Sequence, residues 1–109
     1  IGILGLSYKA NVGDLRESPA LRIIKILEKM GAALHQYDPF VPQLSNVRYI
    51  DELLEKSEAV VLTVNHKEFM AIPVEKFAAN NVKIIIDGKN CLDKEAVKNA
   101  GILYQGIGR

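Results

Sequence analysis

The residues best suited to do chemistry lie in one stretch, GLSYKANVGDLRESPAL, from Gly5 to Leu21. A strand-like apolar run stops there, eleven small or polar residues follow, and a helix-like pattern begins. The gap holds two cations, Lys9 and Arg16, two acids, Asp14 and Glu17, and one aromatic ring, Tyr8. Strand-to-helix connections usually take about 2–6 residues, and a long, charged one is more often a binding element than a plain turn. A helix start favours anions through its free backbone N–H groups and its dipole. Arg adds a two-pronged grip on phosphate that Lys, a point charge, lacks. The same residues also suit a purely structural network in which Arg16 pairs with Asp14 or Glu17. Residue types alone leave both readings open.

Other polar residues are weaker candidates. A dinucleotide site needs G-x-G-x-x-G at the first strand–helix turn. Here Gly2 and Gly5 fall within the apolar run and Gly13 comes eight residues later, so the fingerprint is absent. Asp38 closes a second strand where a ribose-binding acid would stand, but with Pro39 behind it the residue fits a turn opener better. His35 lies inside that strand and reads as structural. His66 lies on a loop after a third strand, an acid–base candidate by type, with a structural role the stronger expectation. Cys91 is the one cysteine, which excludes an internal disulfide and a cysteine-built metal site. It reads as an inert thiol. No metal site is expected.

These residues need elements to hold them. Continuous apolar runs predict strands over 1–7, 33–38, 58–64, 82–88 and 102–108. Between them, Ala20, Ile23, Ile24, Leu27 and Met30 keep helical spacing after Ser18 and Pro19, a cap and first-turn pair, and Gly31 ends the helix. Shorter helices are predicted at 50–57, with Asp51 as cap, in turns over 65–80, and at 93–101 between Asp93 and Gly101. Strand–helix alternation of this kind predicts a three-layer, Rossmann-like α/β domain with a mainly parallel, twisted sheet and helices on both faces. Ligands in such sheets sit outside the carboxyl ends of the strands, which singles out the loops after Ser7, Val64 and Ile86.

The totals agree with one domain. The chain has 109 residues and a net charge of +1, with its Lys and Arg scattered, so neither nucleic acid nor a membrane surface is indicated as a partner. A single cysteine fits a reducing cytoplasm. The chain opens on Ile1 inside an apolar run, which reads as a domain excised from a longer parent.

Further along, YDPFVP follows the second strand, TVNHKEF the third and IIIDGKN the fourth. Together with Tyr8, Lys9, Asp14, Arg16, Ser18 and Pro19 at their long spacing, these segments resemble the C-terminal domain of the UDP-glucose/GDP-mannose dehydrogenase family. The resemblance runs over essentially the whole chain. It implies that residues 1–109 are the UDP-sugar-binding domain of a three-part enzyme, joined to an N-terminal NAD-binding domain and a central helical region. Such enzymes oxidise the C6 alcohol of a sugar nucleotide to a carboxylate, passing two hydrides to two NAD molecules through a thioester on a cysteine. By resemblance, Tyr8 and Lys9 contact the UDP-sugar and Arg16 reaches the NAD, which is bound mainly by the N-terminal part. Lys89 stands where the family usually has a substrate-binding Arg; it keeps the charge without the planar fork, and Asp87 is placed to orient it by ion pairing. No catalytic residue is expected within these 109 residues, and the fragment alone is expected to be inactive. DLRESPA, NHKEF and the absence of tryptophan lean towards the branch that oxidises UDP-N-acetylmannosamine or its glucosamine epimer, with UDP-glucose as the alternative. The parent is expected to be a cytoplasmic homo-oligomer. A non-enzymatic sugar-nucleotide or phosphate-binding module stays open as a reading of another class.

Overall fold

The computed structural model of the chain describes residues 1–13, 15 and 18–108. Strands β1 (Gly2–Leu4), β2 (His35–Tyr37), β3 (Ala59–Leu62), β4 (Ile84–Asp87) and β5 (Leu103–Gly106) form one sheet in the order β2-β1-β3-β4-β5. All neighbours are parallel. Parallel pairing requires crossovers, and here they are α1 (Pro19–Lys29), α2 (Ile50–Glu55), α3 (Lys67–Met70), α4 (Val74–Ala79) and α5 (Lys94–Asn99), with a 3-10 turn at Pro42–Leu44. The predicted α/β architecture is the observed one.

The two sheet faces are unequally covered. On one, Leu4, Val60, Leu62 and Ile85 pack against Leu53 and Leu54 of α2, Phe69 of α3, Phe77 of α4 and Val97 of α5. On the other, Ile3 and Val61 pack against Ile24 of α1. Alternation along β4 then turns Ile84 and Ile86 towards the α1 side, where both stay exposed. Over β4 the expected cover by helices on both faces is therefore full on one face only.

Helix ends follow local chemistry, with two corrections. Gly31 (φ +83) closes α1, letting Ala32 N–H reach back to Leu27 O, and Asp93 caps α5 by accepting from Ala96 N at 3.1 Å. Ser18 precedes α1 as predicted, but its hydroxyl donates to Leu6 O at 2.6 Å instead of capping the helix. That bond ties the start of α1 to the loop after β1. Helix α2 begins at Ile50, behind Tyr49, so Asp51 sits in its first turn, where an acid still suits the dipole, rather than at the cap.

The outer edge of β2 is closed by its own loop. Gln36 N donates to Asn46 Oδ1, Asn46 N donates to Gln36 O, and Asp38 N donates to Ser45 Oγ. No helix among the described residues is long and apolar enough to cross a membrane.

Candidate functional site

The carboxyl edge of the sheet is organised around two buried carboxylates. At the first, the chain leaves β1 through Gly5, whose φ of +111 and close approach to Thr63 and Val64 leave no space for a Cβ. The next two amides, Leu6 N and Ser7 N, donate to Asp38 Oδ2 at 2.8 and 2.9 Å, and the Ser7 hydroxyl donates to the same oxygen at 2.5 Å. His66 Nε2 lies 2.9 Å from Asp38 Oδ2, while Phe40 N donates to Oδ1. Burial pushes the Asp38 carboxyl up, but the hydrogen bonds from Ser7, Leu6, His66 and Phe40 outweigh it and hold the group below the usual carboxylate range.

Ser7, His66 and Asp38 are the residue types of a hydrolytic triad, yet the arrangement is a different device. Asp38 bonds Ser7 and His66 directly, and the three residues are 2 %, 0 % and 0 % exposed for Ser7, His66 and Asp38. No substrate can reach the hydroxyl. The cluster instead joins the loops that follow β1, β2 and β3. Its signal in the sequence is a polar residue at the end of each apolar run, Ser7 and Asp38, which a parallel sheet brings side by side; sequence reasoning found Asp38 as a turn and missed the cluster.

The same bonds decide the cofactor question for these residues. In a dinucleotide cradle the amides after the first strand face the pyrophosphate and the acid after the second faces a ribose. Here Leu6 N and Ser7 N are spent on Asp38, and Asp38 is fully buried. The described residues do not form an NAD cradle. Arg16, the predicted cofactor residue, lies outside the described residues, as do Asp14 and Glu17.

The second carboxylate, Asp87, ends β4. Its Oδ2 accepts from Leu92 N and Tyr104 OH, and its Oδ1 from Lys89 N at 3.2 Å and from the Cys91 thiol at 3.5 Å. Asp87 therefore meets Lys89 through the backbone amide, in place of the expected side-chain ion pair. It is also buried and held below the usual range, because its hydrogen bonds outweigh the upward push of burial. The Cys91 thiol is pushed up to about 11, first by burial and then by the Asp87 charge, which fits the expected inert thiol. Gly88 packs so close to β3 that a Cβ would fall 2.8 Å from Leu62 O.

Between these two loops lies a cleft of about 250 Å³, lined by Tyr8, Pro19 and Ile23 on one side, Leu62 and Thr63 on its floor, and Ile86, Gly88, Lys89 and Ile107 on the other. Tyr8 and Lys89, named from residues 81 positions apart in sequence (89 − 8), thus share one cavity. Lys9 follows Tyr8 and is exposed, but does not line the cleft. Thr63, which sequence reasoning did not single out, fixes the floor: its hydroxyl donates to Gly5 O at 2.7 Å. The arrangement offers a flat aromatic ring, an apolar floor and one lining cation, Lys89, which suits a heterocyclic base or sugar carrying an anionic group. Among the described residues no group of three His, Cys, Asp or Glu could hold a metal ion.

Comparison with known proteins shows the family of the chain. The sequence model of the UDP-glucose/GDP-mannose dehydrogenase family, UDP binding domain, matches residues 2–94, and the chain belongs to that family. It is 34 % identical over 110 residues to a UDP-N-acetyl-D-mannosamine dehydrogenase of Pyrococcus horikoshii, covering 100 % of this chain and 25 % of the relative. It is 33 % identical over 116 residues to a putative UDP-glucose 6-dehydrogenase of Bacillus subtilis, covering 98 % of this chain and 27 % of the relative. A solved structure of the UDP-D-ManNAc dehydrogenase from Pyrococcus horikoshii superposes with a TM-score of 0.87 at 33 % identity, over 99 % of this chain and 25 % of that one. The chain thus spans about a quarter of the length of the relatives it matches.

Proposed function

We propose that residues 1–109 are the C-terminal, UDP-sugar-binding domain of a longer NAD-dependent nucleotide-sugar 6-dehydrogenase. One observation carries this reading: Tyr8 and Lys89 come from different loops into one cleft at the carboxyl edge of the sheet. In it, Tyr8 lies against the nucleotide, Lys89 neutralises the pyrophosphate as a point charge, and Lys9 adds charge at the rim. Arg16 reaches towards the NAD held by the rest of the parent. The parent supplies the NAD fold, the central region and the catalytic cysteine. There the C6 alcohol is oxidised to the carboxylate, two hydrides leave on two NAD molecules, and water releases the acid from a thioester. Cys91 has no part in this, since half-burial and the Asp87 charge keep its thiol protonated. The parent acts in the cytoplasm as a homo-oligomer, which rests on the resemblance alone.

For the sugar, UDP-N-acetylmannosamine or its glucosamine epimer comes first, on DLRESPA, NHKEF and the absence of tryptophan. UDP-glucose is the alternative, since relatives named for the two substrates are 34 % and 33 % identical to this chain. Comparing kcat/KM of the full-length enzyme on the two sugar classes decides between them.

The site is tested by Lys9→Ala and Lys89→Ala in the full-length enzyme. Each is expected to raise KM for the UDP-sugar by about tenfold or more, the scale of one charge-assisted hydrogen bond, with KM for NAD little changed. An unchanged UDP-sugar KM in a folded variant removes that lysine from the site. NADH production by residues 1–109 alone would overturn the domain assignment.

A further inference from the structure

The segment from Ser7 to Asn11 is held at both ends and open in the middle. At its start, the Ser7 amide and hydroxyl donate to Asp38. At its end, Asn11 N donates to His66 Nδ1 at 2.8 Å, and Asn11 Oδ1 accepts from Lys67 N at 2.9 Å. Between the two anchors, Tyr8 and Lys9 are exposed. Asn11 takes φ +60, a left-handed conformation that asparagine tolerates better than most residues. A backbone amide can only donate, so His66 Nδ1 carries no hydrogen and the ring is the Nε2–H tautomer, aimed at Asp38. Phe40 and Phe69 flank the imidazole, with ring centroids 4.9 and 5.2 Å away, and fix its plane.

We propose that His66 and Asn11 are positioning residues: the bond from Asn11 N to His66 Nδ1, with Asn11 Oδ1 held by Lys67 N, sets where Tyr8 and Lys9 meet the UDP-sugar. The inference rests on Tyr8 and Lys9 being substrate contacts. A loop fastened at Ser7 alone is free to swing, and substrate must then order it on binding, which weakens affinity. Fastened at Asn11 as well, it presents the ring and the charge ready-placed. His66 never touches substrate in this arrangement; it acts through the loop.

The two ring nitrogens can be separated by substitution. His66→Asn leaves an acceptor close to Nδ1, facing Asn11, but cannot reach Asp38. His66→Gln reaches Asp38 with a donor but offers Asn11 nothing. In the full-length enzyme His66→Gln is expected to raise KM for the UDP-sugar about fivefold, the scale of one lost hydrogen bond, with kcat and KM for NAD within about twofold of wild type. His66→Asn is expected to keep the wild-type KM despite a lower melting temperature. Equal KM values for the two variants, or a wild-type KM in His66→Gln, overturn the proposal. Asn11 provides the same test at an exposed position, independent of whether a His66 variant folds. Asn11→Ala should raise the same KM by about threefold, and Asn11→Asp, which retains an acceptor for Lys67 N, should restore it. A wild-type KM in Asn11→Ala, with Lys9→Ala impaired, sinks the clamp while sparing the substrate reading. A wild-type KM in Lys9→Ala sinks both.

Discussion

Asp38 follows β2 and Asp87 ends β4, two strands of the same sheet with β1 and β3 between them; both residues are fully buried and held ionised by hydrogen bonds instead of a cation. They organise their surroundings differently. Asp38 gathers donors from positions 28 to 32 residues away, Leu6, Ser7 and His66, and so joins three loops. Asp87 takes most of its donors from the five residues behind it, Lys89, Cys91 and Leu92, and adds Tyr104 from β5. One carboxylate assembles the edge of the fold; the other shapes a single loop. Identical chemistry in identical burial therefore differs in consequence through the sequence distance of its partners.

The largest effect is expected from Asp38→Ala. It leaves the Leu6 and Ser7 amides and the His66 ring without their acceptor inside the protein, at a cost of about 4 kcal/mol in denaturant-induced unfolding. A loss below about 1 kcal/mol would erase the contrast between the two aspartates.

Asp87→Asn is expected to cost less, about 1–2 kcal/mol, because an amide oxygen still serves the Leu92 or Lys89 N–H. The same variant sharpens the local role. Removing the negative charge beside Cys91 should speed its reaction with a disulfide reagent at pH 8, where the native thiol is almost wholly protonated. A native Cys91 that already reacts as fast as the unfolded chain contradicts the upward push on this half-buried thiol.

The smallest effect is acid sensitivity. Both carboxyls lie lower in the folded state than their unfolded value of about 3.9. Their contribution to stability is thus present above that pH and is lost as pH falls through the folded values. The melting temperature should hold between pH 7 and 5 and drop below about pH 4, and Asp38→Asn should flatten that drop more than Asp87→Asn. A pH-independent melting temperature down to pH 3 would show that the hydrogen bonds do not favour the ionised forms.

The sequence made the frame of the molecule readable and hid its fastenings. Apolar runs such as EAVVLTV and helical spacing in α1 announce themselves because burial is a repeating demand, met every second or every third to fourth residue. The loops after Ser7 and Ile86 could be singled out because topology fixes the carboxyl edge of parallel strands; Tyr8 and Lys89 within them are named by resemblance to the family. The Ser7–Asp38–His66–Asn11 cluster was not readable residue by residue. Each member has an ordinary local use, as turn opener, strand end or loop residue, and only the sheet order β2-β1-β3 brings the three loops together. Ser18 stands at the helix start as expected, but the partner of its hydroxyl was hidden for the same reason: a local cap competed with a carbonyl, Leu6 O, supplied from 12 residues away.

The edge of β2 is closed to growth of the sheet. Backbone groups on an outer strand are a template for any passing extended chain, but here Asn46 and Ser45 already occupy the N–H groups of Gln36 and Asp38, and Gln36 O holds the Asn46 amide. No neighbouring polypeptide can enlist along that side by strand addition. The side chains of a short loop thus act as a selvedge, finishing the fabric of the sheet without another thread.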